Sequence, residues 1–168
     1  MCIRDSIDKI GTGTMTIDSA AGTGSYNLGS LTVSQGTLSL SGASGSATFG
    51  TINTYTGATL LLDNTAANLN NRLGGPNRTI NLYGGELKIT GNALAATSES
   101  IMFSNLTGTG VVTAQVGSSV LTLVPNAAQA LSFNFGSIGN QVGGGVLLVR
   151  GTNSVSYTHL TLPTKRIV

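Results

Sequence analysis

Charged side chains, aromatic rings and long apolar runs are scarce in this chain of 168 residues, and each shortage excludes a class of protein. Charged residues make up 8% of the chain, aromatic residues make up 5%, and tryptophan is absent. A core must therefore be built from small aliphatic side chains. No apolar run approaches the roughly 18 to 20 residues that a membrane-spanning helix needs. The abundance of Val, Ile, Leu and Thr argues against disorder, so we expect a chain that folds mainly as strands.

The two ends of the chain differ in composition from its middle. Cys2 is the only cysteine and His159 the only histidine. The opening MCIRDS and the closing VSYTHLTLPTKRIV resemble translated sequencing-adapter sequence, which recurs at the edges of gene predictions from environmental assemblies. We therefore expect artefactual or disordered tails at residues 1–9 and 155–168, around a repeat segment at residues 10–154.

Charge within the repeat segment is sparse and balanced. A nucleic-acid interface needs a basic stripe or stacking aromatic side chains, and a neutral segment with scattered tyrosines provides neither. We therefore predict no nucleic-acid partner. The eight charged residues of the segment are Asp18, Asp63, Glu86, Glu99, Arg72, Arg78, Lys88 and Arg150.

Short runs of alternating apolar and polar residues recur along the whole segment and are interrupted by glycine, asparagine or serine. Alternation with a period of two is typical of strands with one buried face. The sequence therefore predicts an all-β fold without long helices. The clearest runs are TMTID (14–18), LTVSQGTLSLSG (31–42), GATLLLDN (57–64), TINLYGGELKITGN (79–92), SVLTLV (119–124) and GGGVLLVRG (143–151).

Three all-β architectures fit such a pattern, namely a sandwich, an antiparallel barrel and a parallel solenoid. The local sequence Gly84-Gly85 between two alternating runs favours a β-hairpin. However, the unit Gly-x-Leu recurs at residues 36–38, 85–87 and 145–147, and self-similarity of this kind favours stacked rungs. We therefore predict a parallel β-helix, or solenoid, with irregular rungs and loop excursions.

The alternation also predicts which side chains face the core. Along residues 85–90, Leu87 and Ile89 share one face, and Glu86, Lys88 and Thr90 share the other. The charges on the second face require that the first face is buried. The same reasoning predicts that Leu38, Leu40, Leu121, Leu123, Leu147 and Val149 point inward.

The run GATLLLDNTAANLNNRLGGPNRTINLYGGELKITGNA, residues 57–93, resembles the autotransporter-associated β-strand repeat of very large secreted bacterial proteins. The resemblance continues through SESIMFSNLTGTGVVTAQVG and ends at Asn153. It implies a right-handed β-helix on the cell exterior or the outer-membrane surface. It also implies a structural or adhesive role as a stalk, with adjoining repeats of the same polypeptide as partners and surface glycans or other cells as further partners.

Few residues have the chemistry of a catalytic or metal site. Nucleophilic catalysis needs a base beside the nucleophile, and the only histidine and cysteine lie in the tails. Zinc and calcium motifs are missing from the sequence, and glycines 22, 24, 108 and 110 complete no phosphate-binding motif. We therefore predict no enzyme, no cofactor, and no catalytic, cofactor-binding or metal site.

The alternative hypothesis is a carbohydrate-active enzyme or glycan-binding module built on a β-helix. Glycoside hydrolysis uses two carboxyl groups about 5 to 10 Å apart. Asp63 and Glu86 on neighbouring rungs would supply them, with Arg72 or Arg78 nearby. Each also has a structural interpretation: Asp63 ends a strand at a turn, Glu86 pairs with Lys88 on the outer face, and Arg78 lies on a surface loop.

Overall fold

The computed structural model describes residues 6–19, 28–75, 78–101, 110–126, 128–139 and 143–152, and this part of the chain is all-β. The described residues contain fourteen strands, which form two sheets of six and one sheet of two. No helix that is long and apolar enough to cross a bilayer occurs among these residues.

Successive strands alternate between the two large sheets. The first sheet contains β1 (Ser6–Lys9), β3 (Leu28–Val33), β5 (Phe49–Tyr55), β7 (Thr79–Tyr83), β10 (Val111–Ala114) and β13 (Ser137–Ile138). The second contains β2 (Thr14–Ile17), β4 (Gly36–Leu40), β6 (Ala58–Asp63), β8 (Glu86–Thr90), β11 (Ser118–Val124) and β14 (Val146–Gly151). The small sheet pairs β9 (Thr97–Ser100) with β12 (Leu131–Asn134).

Every strand pairing in the three sheets is parallel, so the chain returns to each sheet in the same direction. We call each first-sheet strand and the second-sheet strand that follows it a layer, from layer 1 (β1 and β2) to layer 6 (β13 and β14). Ser6 pairs with Ser30 and Thr51 with Thr79, so a layer takes roughly 20 to 30 residues, as in known solenoid repeats. Parallel sheets of unequal layer length are compatible with the predicted stack of irregular rungs.

The Gly84-Gly85 step is a corner between sheets and not a hairpin turn, since β7 and β8 belong to different sheets. Gly84 has a φ of 78°, a conformation that side chains with a Cβ disfavour. A Cβ on Gly85 would lie 2.6 Å from the carbonyl oxygen of Tyr55 in the layer before. Glycine is therefore required here for the turn and for the close approach of two layers.

The core lies between the two large sheets, and the predicted faces are confirmed. Leu87 and Ile89 are 0% exposed, while Glu86, Lys88 and Thr90 between and beside them are partly exposed. Leu38, Leu40 and Leu121 are also buried, as predicted. Three further predicted core residues are partly buried against the same cluster: Leu123, Leu147 and Val149.

Part of the expected first tail belongs to the first sheet. Ser6–Lys9 is strand β1, and it pairs in register with β3. The Lys9 side chain is buried, and its Nζ donates to the carbonyl oxygens of Gly11 (2.6 Å) and Gln35 (3.1 Å). The rest of the two expected tails, with Cys2 and His159, lies outside the described residues.

We expect replacement of Leu87 by alanine to lower the free energy of unfolding by about 2 to 4 kcal/mol, through lost burial and a cavity. Lys88→Ala is the matched control, because the neighbouring side chain points outward; it should change stability by no more than about 0.5 kcal/mol. Urea unfolding followed by circular dichroism measures both. Equal effects at the two positions would contradict the assigned faces.

Candidate functional site

The two carboxylates of the enzyme hypothesis do not meet. The strands β6 and β8 pair so that Asp63 lies opposite Thr90, while Glu86 lies opposite Thr59. The two acids are therefore four positions apart along neighbouring strands, about 13 Å at roughly 3.3 Å per residue. This is a backbone separation, and each carboxyl group is held at its own end of the strand pair: Asp63 accepts from Thr90, and Glu86 accepts from Thr59. The two acids lie on neighbouring layers, as the alternative hypothesis supposes, but the register offsets them along the strands.

Asp63 stabilises the turn that follows β6. Its Oδ1 accepts hydrogen bonds from the backbone N–H of Thr65 (3.0 Å), from the Thr65 hydroxyl (2.7 Å) and from the Thr90 hydroxyl of the next layer (3.0 Å). Burial raises the pKa of Asp63, but these hydrogen bonds and the positive charge of Arg72 outweigh it, and the net shift is downward. The structural interpretation of Asp63 as a turn residue is confirmed.

Glu86 links four layers across the outer face of the second sheet. It accepts hydrogen bonds from the hydroxyls of Thr122 and Thr59, the latter at 3.5 Å. Its Oε1 also lies 3.1 Å from a guanidinium nitrogen of Arg150, whose side chain is 53% exposed. The expected partner Lys88 is not the one used: the register brings Arg150 over Thr122 and within reach of Glu86.

Arg72 is completely buried, at the corner that follows the second sheet. Its Nε donates to Asn64 Oδ1 (2.9 Å), and its two terminal nitrogens donate to the carbonyl oxygens of Gly45 (2.6 Å), Gly42 (2.9 Å) and Ala67 (2.9 Å). Gly42 and Gly45 follow β4 in layer 2, whereas Asn64 and Ala67 follow β6 in layer 3. The guanidinium therefore joins two layers where their chains leave the sheets.

A tight local turn directs Arg72 inward. Asn71 has a φ of 57°, the only positive φ of a non-glycine residue in the described segments. Asparagine tolerates this left-handed conformation better than most residues. The carbonyl oxygen of Asn71 accepts the N–H of Gly74 (2.8 Å), and its side chain accepts the N–H of Ser100 (3.0 Å) in the next layer. The Asn-Arg-Leu-Gly sequence thus forms the turn and fixes it to β9.

Glu99, a buried acid on β9, completes the corner from the layer above. Its Oε1 accepts the backbone N–H of Arg72 at 2.8 Å. Its Oε2 is buried and has no hydrogen-bond partner among the described residues. Burial raises the pKa of Glu99 to about 7, against the opposing effects of backbone hydrogen bonds from Arg72 and Leu73 and of the Arg72 charge. Protonation of the carboxyl group removes the charge from a buried side chain whose Oε2 has no hydrogen-bond partner among the described residues.

Two asparagines hold the same corner together. Asn64 Oδ1 also accepts the backbone N–H of Leu69 (2.9 Å). Asn92 Nδ2 donates to the carbonyl oxygen of Asn64 (2.8 Å), and Asn92 Oδ1 accepts the N–H of Leu94 (2.8 Å). We call Asn64, Arg72, Asn92 and Glu99 the Arg72 corner. Each of the four residues forms hydrogen bonds with backbone groups and so stabilises the fold.

Arg78 is buried rather than exposed on a surface loop, which corrects the expectation from the sequence. A terminal nitrogen donates to the carbonyl oxygen of Gly74 (3.2 Å), and burial lowers the pKa of the guanidinium. Among the residues that the structure describes, no three His, Cys, Asp or Glu side chains cluster closely enough to hold a metal ion.

The outer face of the first sheet carries a regular array that the sequence reasoning missed. Tyr55 and Tyr83 are paired in register, with ring centroids 4.8 Å apart and ring planes 9° apart. Beside them, Asn81 Nδ2 donates to Asn53 Oδ1 (3.0 Å), and Gln115 Nε2 donates to Asn81 Oδ1 (3.1 Å). The sequence signal was the repetition of TINTY (51–55) as TINLY (79–83).

Replacing Arg72 by methionine should lower the free energy of unfolding by about 3 kcal/mol or more, because the carbonyl oxygens of Gly42, Gly45 and Ala67 lose this donor and Asn64 Oδ1 loses one of its two donors. Arg72→Lys should also destabilise, since an ammonium group cannot reproduce the planar fork. Arg150→Ala is the control: its ion pair is exposed and should contribute at most about 1 kcal/mol. Similar urea midpoints for the Arg72 and Arg150 variants would contradict the role of the corner.

The pKa of Glu99 predicts that stability falls as pH rises. Its folded-state pKa of about 7 lies above the ordinary value of 4.5, so the folded chain binds the proton more tightly than the unfolded chain. The stabilisation is full below about pH 4.5, declines up to about pH 7 and then levels off. Glu99→Gln should remove this decline in urea unfolding series.

The opposite shift of Asp63 acts in a different pH range. Its pKa is lowered from 3.8, so its contribution is present above that pH and is lost as the pH falls.

A native protein whose stability stays constant between about pH 5 and pH 8 would exclude a buried, protonated Glu99.

The described part of the chain thus carries three polar arrays: the Arg72 corner, the outer face of the first sheet, and the Glu86 network on the outer face of the second sheet. Comparison with protein-family models, with curated proteins and with solved structures finds no match to this chain.

Proposed function

We propose that residues 10–154 belong to a right-handed parallel β-helix that serves as a non-catalytic structural and adhesive stalk of a large exported bacterial protein. In this role the segment lengthens the exported protein and displays it at the cell exterior or on the outer-membrane surface. Its first partners are adjoining repeats of the same polypeptide.

The observation that carries this proposal is the use of the polar side chains. Asp63, Arg72 and Glu86 each hydrogen-bond a neighbouring layer, and each does so through the atoms that catalysis would need. A side chain that satisfies buried carbonyl groups or closes a turn is committed to holding layers together. This is the requirement of a solenoid, in which each repeat is supported by its neighbours.

The handedness follows from a general rule for parallel strands. Each chain passage from one first-sheet strand to the next crosses over through the second sheet, for example from β3 through β4 to β5. Crossover connections between parallel strands of one sheet are right-handed in about 98% of cases. Export to the cell surface is supported by the resemblance of residues 57–93 to autotransporter-associated repeats.

The carbohydrate-active alternative built on Asp63 and Glu86 is not favoured. The register separates these two acids. Arg72, which would assist them, is completely buried. Glu86 is instead paired with Arg150 on the outer face.

The experiment is an assay of the whole chain against pectin, alginate, xylan and a peptide library, with reducing ends or new amino groups measured over long incubation. We expect no turnover, because no pair of carboxyl groups at catalytic distance is formed by Asp63 and Glu86. Asp63→Asn and Glu86→Gln serve as matched variants. Turnover by the native chain that either variant abolishes would replace the structural role by an enzymatic one.

A further inference from the structure

We propose that the outer face of the first sheet binds an uncharged polysaccharide, with the chain lying across layers 3 to 5 over Tyr55, Tyr83 and the amide row Asn53, Asn81 and Gln115. This inference rests on the proposed function, since it names the class of surface glycan that an adhesive stalk would hold.

The two tyrosines form a projecting aromatic step at the end of the face. Their rings are nearly parallel, and Tyr55 is 40% exposed. The register places Ser34 of the preceding layer next to Tyr55, because Val33 pairs with Thr54. A serine side chain is too small to cover an aromatic ring. The ring face of Tyr55 that points away from Tyr83 is therefore open for contact with the C–H groups of a sugar.

The amide row supplies hydrogen-bonding groups beside that aromatic step. Among the described residues, the two internal bonds of the row, from Gln115 to Asn81 and from Asn81 to Asn53, leave Asn53 Nδ2 as a free donor at one end and Gln115 Oε1 as a free acceptor at the other. The hydroxyls of Thr51 and Thr79 lie in register on the same face. Sugar hydroxyls both donate and accept, so a row with both capacities matches them.

The charge of the face selects among ligands. On the strands β3, β5, β7 and β10, the outward positions in the described residues carry Ser, Thr, Asn and Tyr side chains and one Val, and none is charged; Gln115 directly after β10 continues the face. Acidic glycans and nucleic acids need cationic partners, which these strands do not offer. Apart from the two tyrosines and one valine, the side chains at these positions are small and polar. An uncharged chain of hydroxyl groups fits a face that is polar and carries no charge on these strands.

The regular spacing suits a chain with its own repeat. Neighbouring parallel strands lie about 4.8 Å apart, and equivalent side chains recur at that interval: Asn53 with Asn81, and Tyr55 with Tyr83. A polymer that runs across layers 3 and 4 meets the same pair of groups, one asparagine and one tyrosine, in each of these two layers. The second sheet offers no such row in the same two layers, because each of its outward pairs joins unlike side chains: Thr59 with Glu86, Leu61 with Lys88, and Asp63 with Thr90.

The test is affinity electrophoresis of the whole chain in gels that contain hydroxyethylcellulose, galactomannan or dextran, compared with alginate and polygalacturonate. We expect retardation by at least one neutral polymer, none by the acidic polymers, and at least a tenfold weaker interaction for the double variant Tyr55→Ala/Tyr83→Ala. The matched control is Leu61→Ala/Lys88→Ala, an in-register outward pair of the other sheet, which should bind as the native chain does. Circular dichroism and thermal unfolding verify that each variant folds.

A second pair of variants separates binding from folding. Tyr55→Phe/Tyr83→Phe retains the ring stack, and Asn53→Ala/Asn81→Ala removes the amide row; the first should keep most of the binding, and the second should lose severalfold. The absence of binding to every neutral polymer, or binding by the tyrosine-to-alanine variant within twofold of the native value, would overturn the proposal. Self-association in sedimentation that this variant abolishes would assign the face to a second copy instead. None of these outcomes involves substrate turnover. The proposed structural role therefore still holds if the binding proposal fails.

Discussion

This structure depends on one constraint: backbone groups still need hydrogen-bond partners where the chain leaves the sheets. Within the sheets, each layer satisfies the next through parallel pairing. At the corner after the second sheet the ladder stops, and the carbonyl groups of Gly42, Gly45 and Ala67 need another donor. Leaving such groups buried and unpaired costs about 1 to 3 kcal/mol each. Arg72 supplies the donors, because its planar guanidinium carries five N–H groups in a fixed fork.

The positive charge of the buried Arg72 guanidinium also needs stabilisation, and Glu99 provides it only in part. The carboxyl group accepts the backbone N–H of Arg72 and makes no ion pair with the guanidinium. Burial raises the pKa of Glu99, so the acid carries little charge at slightly acid pH. The guanidinium is then solvated mainly by carbonyl dipoles and by Asn64. Layer attachment at this corner consequently depends on hydrogen-bond geometry more than on charge pairing, and loses stability when Glu99 ionises.

The buried faces of the strands could be predicted from the sequence, but the register between strands could not. Alternation alone identifies Leu87 as a core residue, because any stack that buries one face of β8 buries it. The offset of Asp63 from Glu86 depends on the number of residues in each corner and excursion, which alternation does not report. For the same reason Leu147 lies opposite Ser119, two positions before the site that Leu87 shares with Leu121, although all three follow a Gly-x-Leu or alternating pattern.

Polar residues were harder to assign, because a short motif does not show where the chain excursion packs. Glu99 alternates with Thr97 and Ile101, a signal that places all three on one face, but a single acid in an alternating run is ordinarily assumed to be exposed. The burial of Arg72 follows from the left-handed turn at Asn71, which the sequence Asn-Asn-Arg-Leu-Gly only indicates.

The polar residues of the corner and those of the first sheet have different hydrogen-bond partners and different exposure to solvent. Side chains at the corner satisfy the backbone and are closed to solvent. On the first sheet, the Asn53 and Asn81 amides bond to each other, the Tyr55 and Tyr83 rings stack, and hydrogen-bonding capacity remains directed outward. Because that capacity is repeated in layers 3 and 4, the proposed binding is better suited to a polymer than to a single small ligand.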